Sequence, residues 1–307
     1  MPVDPLSDVL SLLKPRTYVA GGFDLGGNWS IQFSVHSGVK YFALVQGSAW
    51  IAVEGESNPM RLEAGDCVLL PHGTRFVIAK DLAFKPFAFE AVPETDWNGG
   101  IASVNGGGDT MMLGGHFAFS DAGTDMLLGT MPPIVRLRDA DEKAGLRWAL
   151  DRMRAELTGA QPGGQLVMQQ LAQLLLVQAL RLYLALGVAQ GSGWLFALGD
   201  ARIAKAIGAI HAGPGARWTL PALAEKAGMS RSKFALRFKA VAGSSPIEYL
   251  TRWRMMLARD RLAKSRESVA AIGLSLGYDS EAAFSTAFKR VVGCSPRKYT
   301  DVQASRH

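Results

Sequence analysis

The side chains best able to hold a metal or attack a bond are thinly spread in this sequence. Its two cysteines, Cys67 and Cys294, form no Cys-x-x-Cys. His36, His72 and His116 lack the clustered spacing of a ligand set. There is no Gly-x-Ser-x-Gly, no phosphate-loop signature and no His-Glu-x-x-His. Gly106-Gly107-Gly108 lacks the flanking strand and helix that a phosphate loop needs. These patterns argue against an enzyme and imply neither metal nor cofactor. The strand context of Cys67 suggests a buried, inert thiol. The basic residues, by contrast, cluster. Residues 200–307 carry 19 Lys and Arg against 8 Asp and Glu, a balance of +11, whereas residues 1–199 carry −5. Such asymmetry suits a polyanion partner, and on charge alone it suits a solvated face equally well.

Spacing separates the two. Ser230, Phe234, Phe238, Lys239, Gly243, Ser245, Pro246 and Tyr249 recur 50 residues later as Ser280, Phe284, Phe288, Lys289, Gly293, Ser295, Pro296 and Tyr299. Upstream the offset is 49, pairing Leu223, Ala227 and Gly228 with Ile272, Leu276 and Gly277. Each copy reads as helix, tight turn, helix. Thr219 and Ser268 cap the first helices, and Ser230 and Ser280 the second. Gly228 supplies a left-handed turn, and paired Phe at i, i+4 face back onto the first helix. Two helices joined this way form a helix-turn-helix, whose second helix can enter a DNA major groove. A connecting helix over about Ile247–Lys264 spans roughly 25 Å and adds Arg252, Arg254, Arg259, Arg261 and Lys264.

Residues 217–299 resemble the DNA-binding domain of the AraC/XylS family of transcriptional regulators. The resemblance rests on Trp218-Thr219-Leu220 with Leu223-Ala224 and Ala227-Gly228-Met229-Ser230. It continues in Phe234 with Phe238-Lys239, and in the closing Gly293-Cys294-Ser295-Pro296 with Tyr299. It implies groove-facing Ser232, Lys233, Ala235 and Leu236 in the first unit, and Glu281, Ala282, Ser285 and Thr286 in the second. Arg231, Arg237, Lys239, Lys289, Arg290 and Arg297 would meet phosphates. Small Ala235 and Ala282 suit thymine methyls or shape readout.

The acidic two-thirds must position whatever controls this module. Leu6, Val9, Leu10 and Leu13 mark a short helix within residues 1–14. Trp29–Val35, Tyr41–Val45, Ala49–Val53, Cys67–Leu70 and Phe76–Ile78 read as short strands of a barrel or sandwich. Residues 97–129 read as a glycine-rich loop followed by one or two late strands around Phe117–Phe119. Leu146–Leu157 and Gln165–Leu186 read as helices, the second apolar on most sides, as expected of a buried or dimerising helix. Gly65-Asp66-Cys67 with Pro71 and Gly73, and Leu113-Gly114-Gly115-His116-Phe117, resemble the cupin-type sensor half found in part of the AraC family. A small-ligand site is expected near Trp29, Phe33, His36, Tyr41, Phe42, Trp50 and Arg75.

The 307 residues, 48% of them hydrophobic, suffice for two cores. The expected fold is α+β with two domains. Residues 1–190 form a cupin-like β-barrel with helices, 191–200 a linker, and 201–307 an all-α domain with two helix-turn-helix units. The resemblance implies a sequence-specific regulator, by the family's habit an activator. Its partners would be double-stranded DNA, RNA polymerase, a small-molecule effector and a second copy of itself. Few cysteines, and a start without a basic or apolar leader, fit the cytoplasm. Gln169, Gln170, Gln173, Gln178 and Arg181 interrupt Leu166–Leu186, so no membrane span is expected. Two other readings stay open: a metal-dependent cupin enzyme fused to a DNA-binding domain, and an architectural DNA-binding protein.

Overall fold

The computed structural model of the chain describes residues 4–13, 16–93, 97–98, 100–119, 131–137, 143–159, 161–185, 193–265 and 267–304. They form two compact units, one within residues 16–119 and 131–185, the other combining residues 4–13 with 193–304.

Among the described residues, the first unit has twelve strands. They are β1 (Arg16–Leu25), β2 (Ser30–Phe33), β3 (Val39–Gln46), β4 (Ser48–Val53), β5 (Met60–Glu63) and β6 (Cys67–Leu70), then β7 (Phe76–Ala79), β8 (Phe87–Ala88), β9 (Trp97–Asn98), β10 (Ile101–Val104), β11 (Thr110–Ala118) and β12 (Val135–Leu137). One sheet has the order β12-β6-β3-β11-β1-β10-β9 and the other β5-β4-β7-β2-β8. No ladder among the described residues joins them, so the expected barrel is a pair of sheets not closed by hydrogen bonds. Alternation explains the core. Phe42 and Leu44 of β3, Ile51 and Val53 of β4, and Phe76 and Ile78 of β7 meet between the sheets with Trp29, Ile31 and Phe33. Burying each such side chain stabilises the unit by about 1.5–3 kcal/mol.

The cupin-like motifs have structural work. Buried Asp66 accepts the Glu63 amide at 2.8 Å and pairs with Arg136, fastening β12 at the sheet edge. Gly114 and Gly115 of β11 leave room for rings of β3. A Cβ at Gly115 would lie 2.4 Å from the Tyr41 ring, and one at Gly114 2.7 Å from the Phe42 ring. The segment expected to be mostly loop therefore contains a nine-residue strand paired with both β1 and β3. Helices α2 (Lys143–Gly159) and α3 (Gly164–Ala185) pair, and α3 also packs on β1 and β12.

The second unit is helical: α1 (Pro5–Leu13), α4 (Trp194–Gly199), α5 (Ala201–Ala212), α6 (Leu220–Lys226), α7 (Arg231–Ala242), α8 (Pro246–Lys264), α9 (Val269–Ser275), α10 (Glu281–Val292) and α11 (Pro296–Ala304). Two features mark its borders. Within the expected linker, residues 191–192 lie outside the described residues, but 194–199 are helical, with Trp194, Leu195, Phe196 and Ala197 buried against α5 and α7. Four large or apolar side chains in a row cannot stay solvated when a core lies within reach. The N-terminal helix, expected to belong with the strands, instead packs on α5 and α8, burying Leu6, Val9 and Leu13.

Candidate nucleic-acid interface

The repeat in the sequence is a repeat in packing. Phe234 and Phe238 are fully buried with ring centroids 5.6 Å apart, and Phe284 and Phe288 are fully buried 5.7 Å apart. The tyrosine that closes each copy sits edge-on to the second phenylalanine, Tyr249 on Phe238 at 5.9 Å and Tyr299 on Phe288 at 5.8 Å. Thr219 accepts the Ala222 amide, Ser268 that of Ala271, and Ser280 that of Ala283. Ser230 occupies the N-cap position of α7, but its side chain makes no cap bond. Gly228 and Gly277 take φ of +61° and +80°, the left-handed turn each hairpin requires. Between the copies, α8 runs 19 residues, roughly 28 Å.

With the phenylalanines turned inward, the opposite face of each second helix is open. On α7 it carries Ser232, Ala235, Leu236 and Lys239, and on α10 Ala282, Ser285, Thr286 and Lys289. These two sets are again 50 apart, position for position. Leu236, 74% exposed, stands roughly opposite the buried Phe234–Phe238 ridge. Its apolar side chain faces water, where a thymine methyl would suit it better. Arg231, Lys233, Arg290 and Arg297 are also exposed around these stripes. Glu281 is exposed and has the Arg297 guanidinium 3.8 Å away, a contact worth little at such exposure.

Arg237 differs from the phosphate contact expected of it. Its Nε donates to the Asp200 carboxylate, whose other oxygen caps α5 through the Arg202 and Ile203 amides. Burial opposes ionisation of Asp200. The Ile203 amide, Arg237 and the Arg202 amide outweigh it and hold the carboxyl below the usual carboxylate range. Arg237 thus ties α7 to α5. Asp200, Arg202, Met229, Lys233 and Arg237 line a groove of about 560 Å³ beside α7. Sequence reasoning passed over Asp200 and Arg202; the Asp directly before a helical run was the available signal.

Several basic residues counted toward a DNA-binding patch serve the fold. Arg254 donates to the Pro214 and Ala216 carbonyls and lies over the Tyr278 ring at 5.5 Å. Arg261 binds Glu267 and Ser275, Arg259 covers the Tyr299 ring, and Lys264 pairs with Asp260. Arg254, Arg259 and Arg261 thus hold the second hairpin, its closing tyrosine and the loop before α6 to the connecting helix, and the Lys264 pair lies within that helix.

The whole chain has known relatives. A cupin family model matches residues 4–185, and a helix-turn-helix domain model matches residues 223–301. An AraC-like transcription regulator of Streptomyces antibioticus is 38% identical over 298 residues, 97% of this chain and 98% of its own. The chain belongs to the AraC family of transcriptional regulators. RclR of Escherichia coli strain K12, an RCS-specific HTH-type transcriptional activator, is 27% identical over 97% of this chain and 98% of its own. Among solved structures, the DNA-binding domain of AdpA in complex with a target DNA covers 34% of this chain and 94% of its own, at 29% identity and TM-score 0.33. This AraC-family chain is a DNA-binding transcription regulator with an N-terminal cupin-like domain. No helix among its described residues is long and apolar enough to cross a membrane.

The expected ligand residues of this AraC-family chain do not converge. Trp29, Phe33 and Phe42 are packed into the core between the sheets. Tyr41 lies on the other face of β3, its ring stacked on Phe117 at 5.4 Å. Trp50 alternates with inward Ala49 and Ile51 and so points away from the interior, and Arg75 is exposed. Cys67 is buried, and burial and Asp66 push its thiol up to about 12, so it is no ready nucleophile. His72 bonds the Met131 carbonyl. Only His36 of the expected set lies at an end of the interior where polar groups gather. The partner that sequence reasoning missed there is Lys40, which shares the inward parity of Phe42 and Leu44.

Proposed function

We propose that this protein binds specific promoter-upstream DNA sites and activates transcription in response to a small molecule sensed by the unit within residues 16–185. It acts as a cytoplasmic homodimer in contact with RNA polymerase. The observation that carries the DNA half is the pair of exposed stripes, 232–235–236–239 and 282–285–286–289, presented by helices of the same build. Each is the width of a helix face that fits a major groove. Ser232, Lys233, Glu281, Ser285 and Thr286 read base edges, and Ala235, Leu236 and Ala282 offer apolar contact. Arg231, Lys239, Lys289, Arg290 and Arg297 meet phosphates, joined by Arg202 at the edge of the groove beside α7. Activation is supported by the name of RclR. Regulation follows from linkage: an effector that prefers one state of the protein shifts DNA affinity by its differential affinity for the two states.

The test is selection of genomic DNA fragments by the full chain at near-physiological salt. Enrichment of a few upstream sites, each with two short elements about one helical turn apart, supports the reading. Uniform recovery that vanishes as salt rises, with and without cell extract as an effector source, replaces it with the architectural reading.

A further inference from the structure

We propose that the end of the inter-sheet space bordered by His36, Lys40 and His116 is a binding site for a small organic carboxylate. Only its consequence for DNA binding rests on the sensing role proposed above.

The three basic groups converge by register. Lys40 of β3 is the cross-strand partner of His116 of β11, one inward step beyond the pair Phe42 and Gly114. The His36 ring, just past β2, is 5.8 Å from the His116 ring and 6.1 Å from the Phe76 ring. The Lys40 ammonium lies over Phe33 at 5.1 Å and Phe76 at 5.7 Å. Two aromatic faces attract a cation but do not accept its three N–H bonds in ordinary geometry. Among the described residues Lys40 has neither an ion pair nor a hydrogen-bond acceptor. Glu90 is the acidic group whose field reaches it.

His36 is the second observation. Neither of its buried ring nitrogens makes a hydrogen bond of ordinary geometry, although the Ser34 and Leu70 backbone lies near enough to favour the protonated ring, and among the described residues no other side chain leaves two polar atoms so placed. A buried unpaired polar group costs about 1–3 kcal/mol, so its retention calls for an occupant. Burial, the Lys40 charge and His116 push His36 down to about 4, outweighing the Ser34 and Leu70 backbone, which favours the protonated ring. The His116 Nε2 is already bonded to the Ser37 carbonyl, which fixes that ring beside the other two.

The donor set selects the ligand. A protonated lysine repels a metal ion. A phosphate dianion asks for more donors than Lys40 and His36 provide. A monocarboxylate needs two strong bonds, one from the Lys40 ammonium and one from a protonated His36. Lys40 and His116 are only half-buried, which leaves the site an opening to solvent.

Benzoate and acetate serve as probes, with benzyl alcohol as the neutral counterpart of benzoate. The full chain is titrated by calorimetry and by imidazole-resolved nuclear magnetic resonance. The expected result is saturable benzoate binding, a shift confined to His36 and His116, and a rise of the His36 midpoint toward neutrality. Benzyl alcohol should bind at least tenfold more weakly. Lys40→Met, its fold verified by circular dichroism, should weaken benzoate at least tenfold. The proposal is overturned if neither carboxylate moves the His36 resonances of the wild-type chain, or if folded Lys40→Met binds benzoate as well as wild type. Fragment selection is run on the same preparations. Its failure would count against the regulator reading alone, and failure of the titrations against the site alone.

Discussion

Arg237 and Lys239 stand two positions apart on α7, both basic and both exposed, yet their surroundings assign them different work. Lys239 belongs to the outward stripe, as its counterpart Lys289 does on α10. Replacing Lys289 or Lys239 with Ala should weaken binding to all DNA sequences alike and flatten the salt slope by about one unit, read from Kd across a salt series. Arg237 is held by buried Asp200. Arg237→Ala should leave the salt slope unchanged while lowering stability in urea by roughly 1–2 kcal/mol, because it strips a buried carboxylate of a charged hydrogen bond. Asp200 also has a pH signature. Its folded pKa lies below the ordinary value, so its contribution is present at neutral pH and above the unfolded carboxylate pKa near 4. It is lost as pH falls through the folded value. Asp200→Asn should therefore differ from wild type less at pH 3 than at pH 7. Nothing in the charge pattern distinguished Arg237 from Lys239; the distinction lies in which face of α7 meets α5.

Elements were legible where their period was intact and obscure where glycine or brevity erased it. β3, β4, β6 and β7 alternate or run apolar, and the structure places them within a residue or two of expectation. β11 did not reveal itself, because Gly114 and Gly115 remove two side chains from a strand whose neighbours need that room. Gly115→Ala tests this. The added Cβ would meet the Tyr41 ring at 2.4 Å, and Tyr41 is buried and stacked on Phe117. The strand-built unit should lose about 1–3 kcal/mol, and fragment selection by the helical unit should be unchanged. Helix α4 was hidden differently: Trp194–Gly199 is too short to show a period, and flanking glycines suggested a linker. The double hairpin was legible because it occurs twice. A spacing of 50 held by eight residues is a constraint that chance does not supply, and the same offset relates the two exposed stripes. The sensing end was less legible, since one residue's parity on a strand decides whether an aromatic lines a site or fills a core.

At the scale of the chain, its first described helix belongs with its last. Helix α1 supplies Asp8 to a relay inside the helical unit: His211 Nδ1 donates to Asp8 at 3.0 Å, and the Tyr249 hydroxyl donates to His211 Nε2 at 2.7 Å. The carboxylate can only accept, so a proton sits on Nδ1, and the lowered pKa of the ring leaves Nε2 unprotonated at neutral pH to accept from Tyr249. The His211 ring is stacked on Trp253 at 3.8 Å. Burial draws the His211 pKa below its ordinary value, and Asp8 offsets this only in part. The consequence for stability has a definite sign. As pH drops below the unfolded histidine value near 6.5, the unfolded chain takes up a proton that the folded chain declines, so folding weakens. Amide protection factors in α1, α5 and α8, with each rate normalised to the intrinsic exchange rate at the same pH, should fall between pH 7.5 and 5.5. Asp8→Asn should steepen that loss, because it removes the group that favours the protonated ring. His36 sits low for its own reasons and contributes with the same sign, but in the strand-built unit. Exchange in β2, β3 and β11 therefore separates its share. If the protection factors of α1, α5 and α8 are the same at both pH values while those of the strands respond, the His211 relay does not couple the N-terminal helix to the DNA-binding unit.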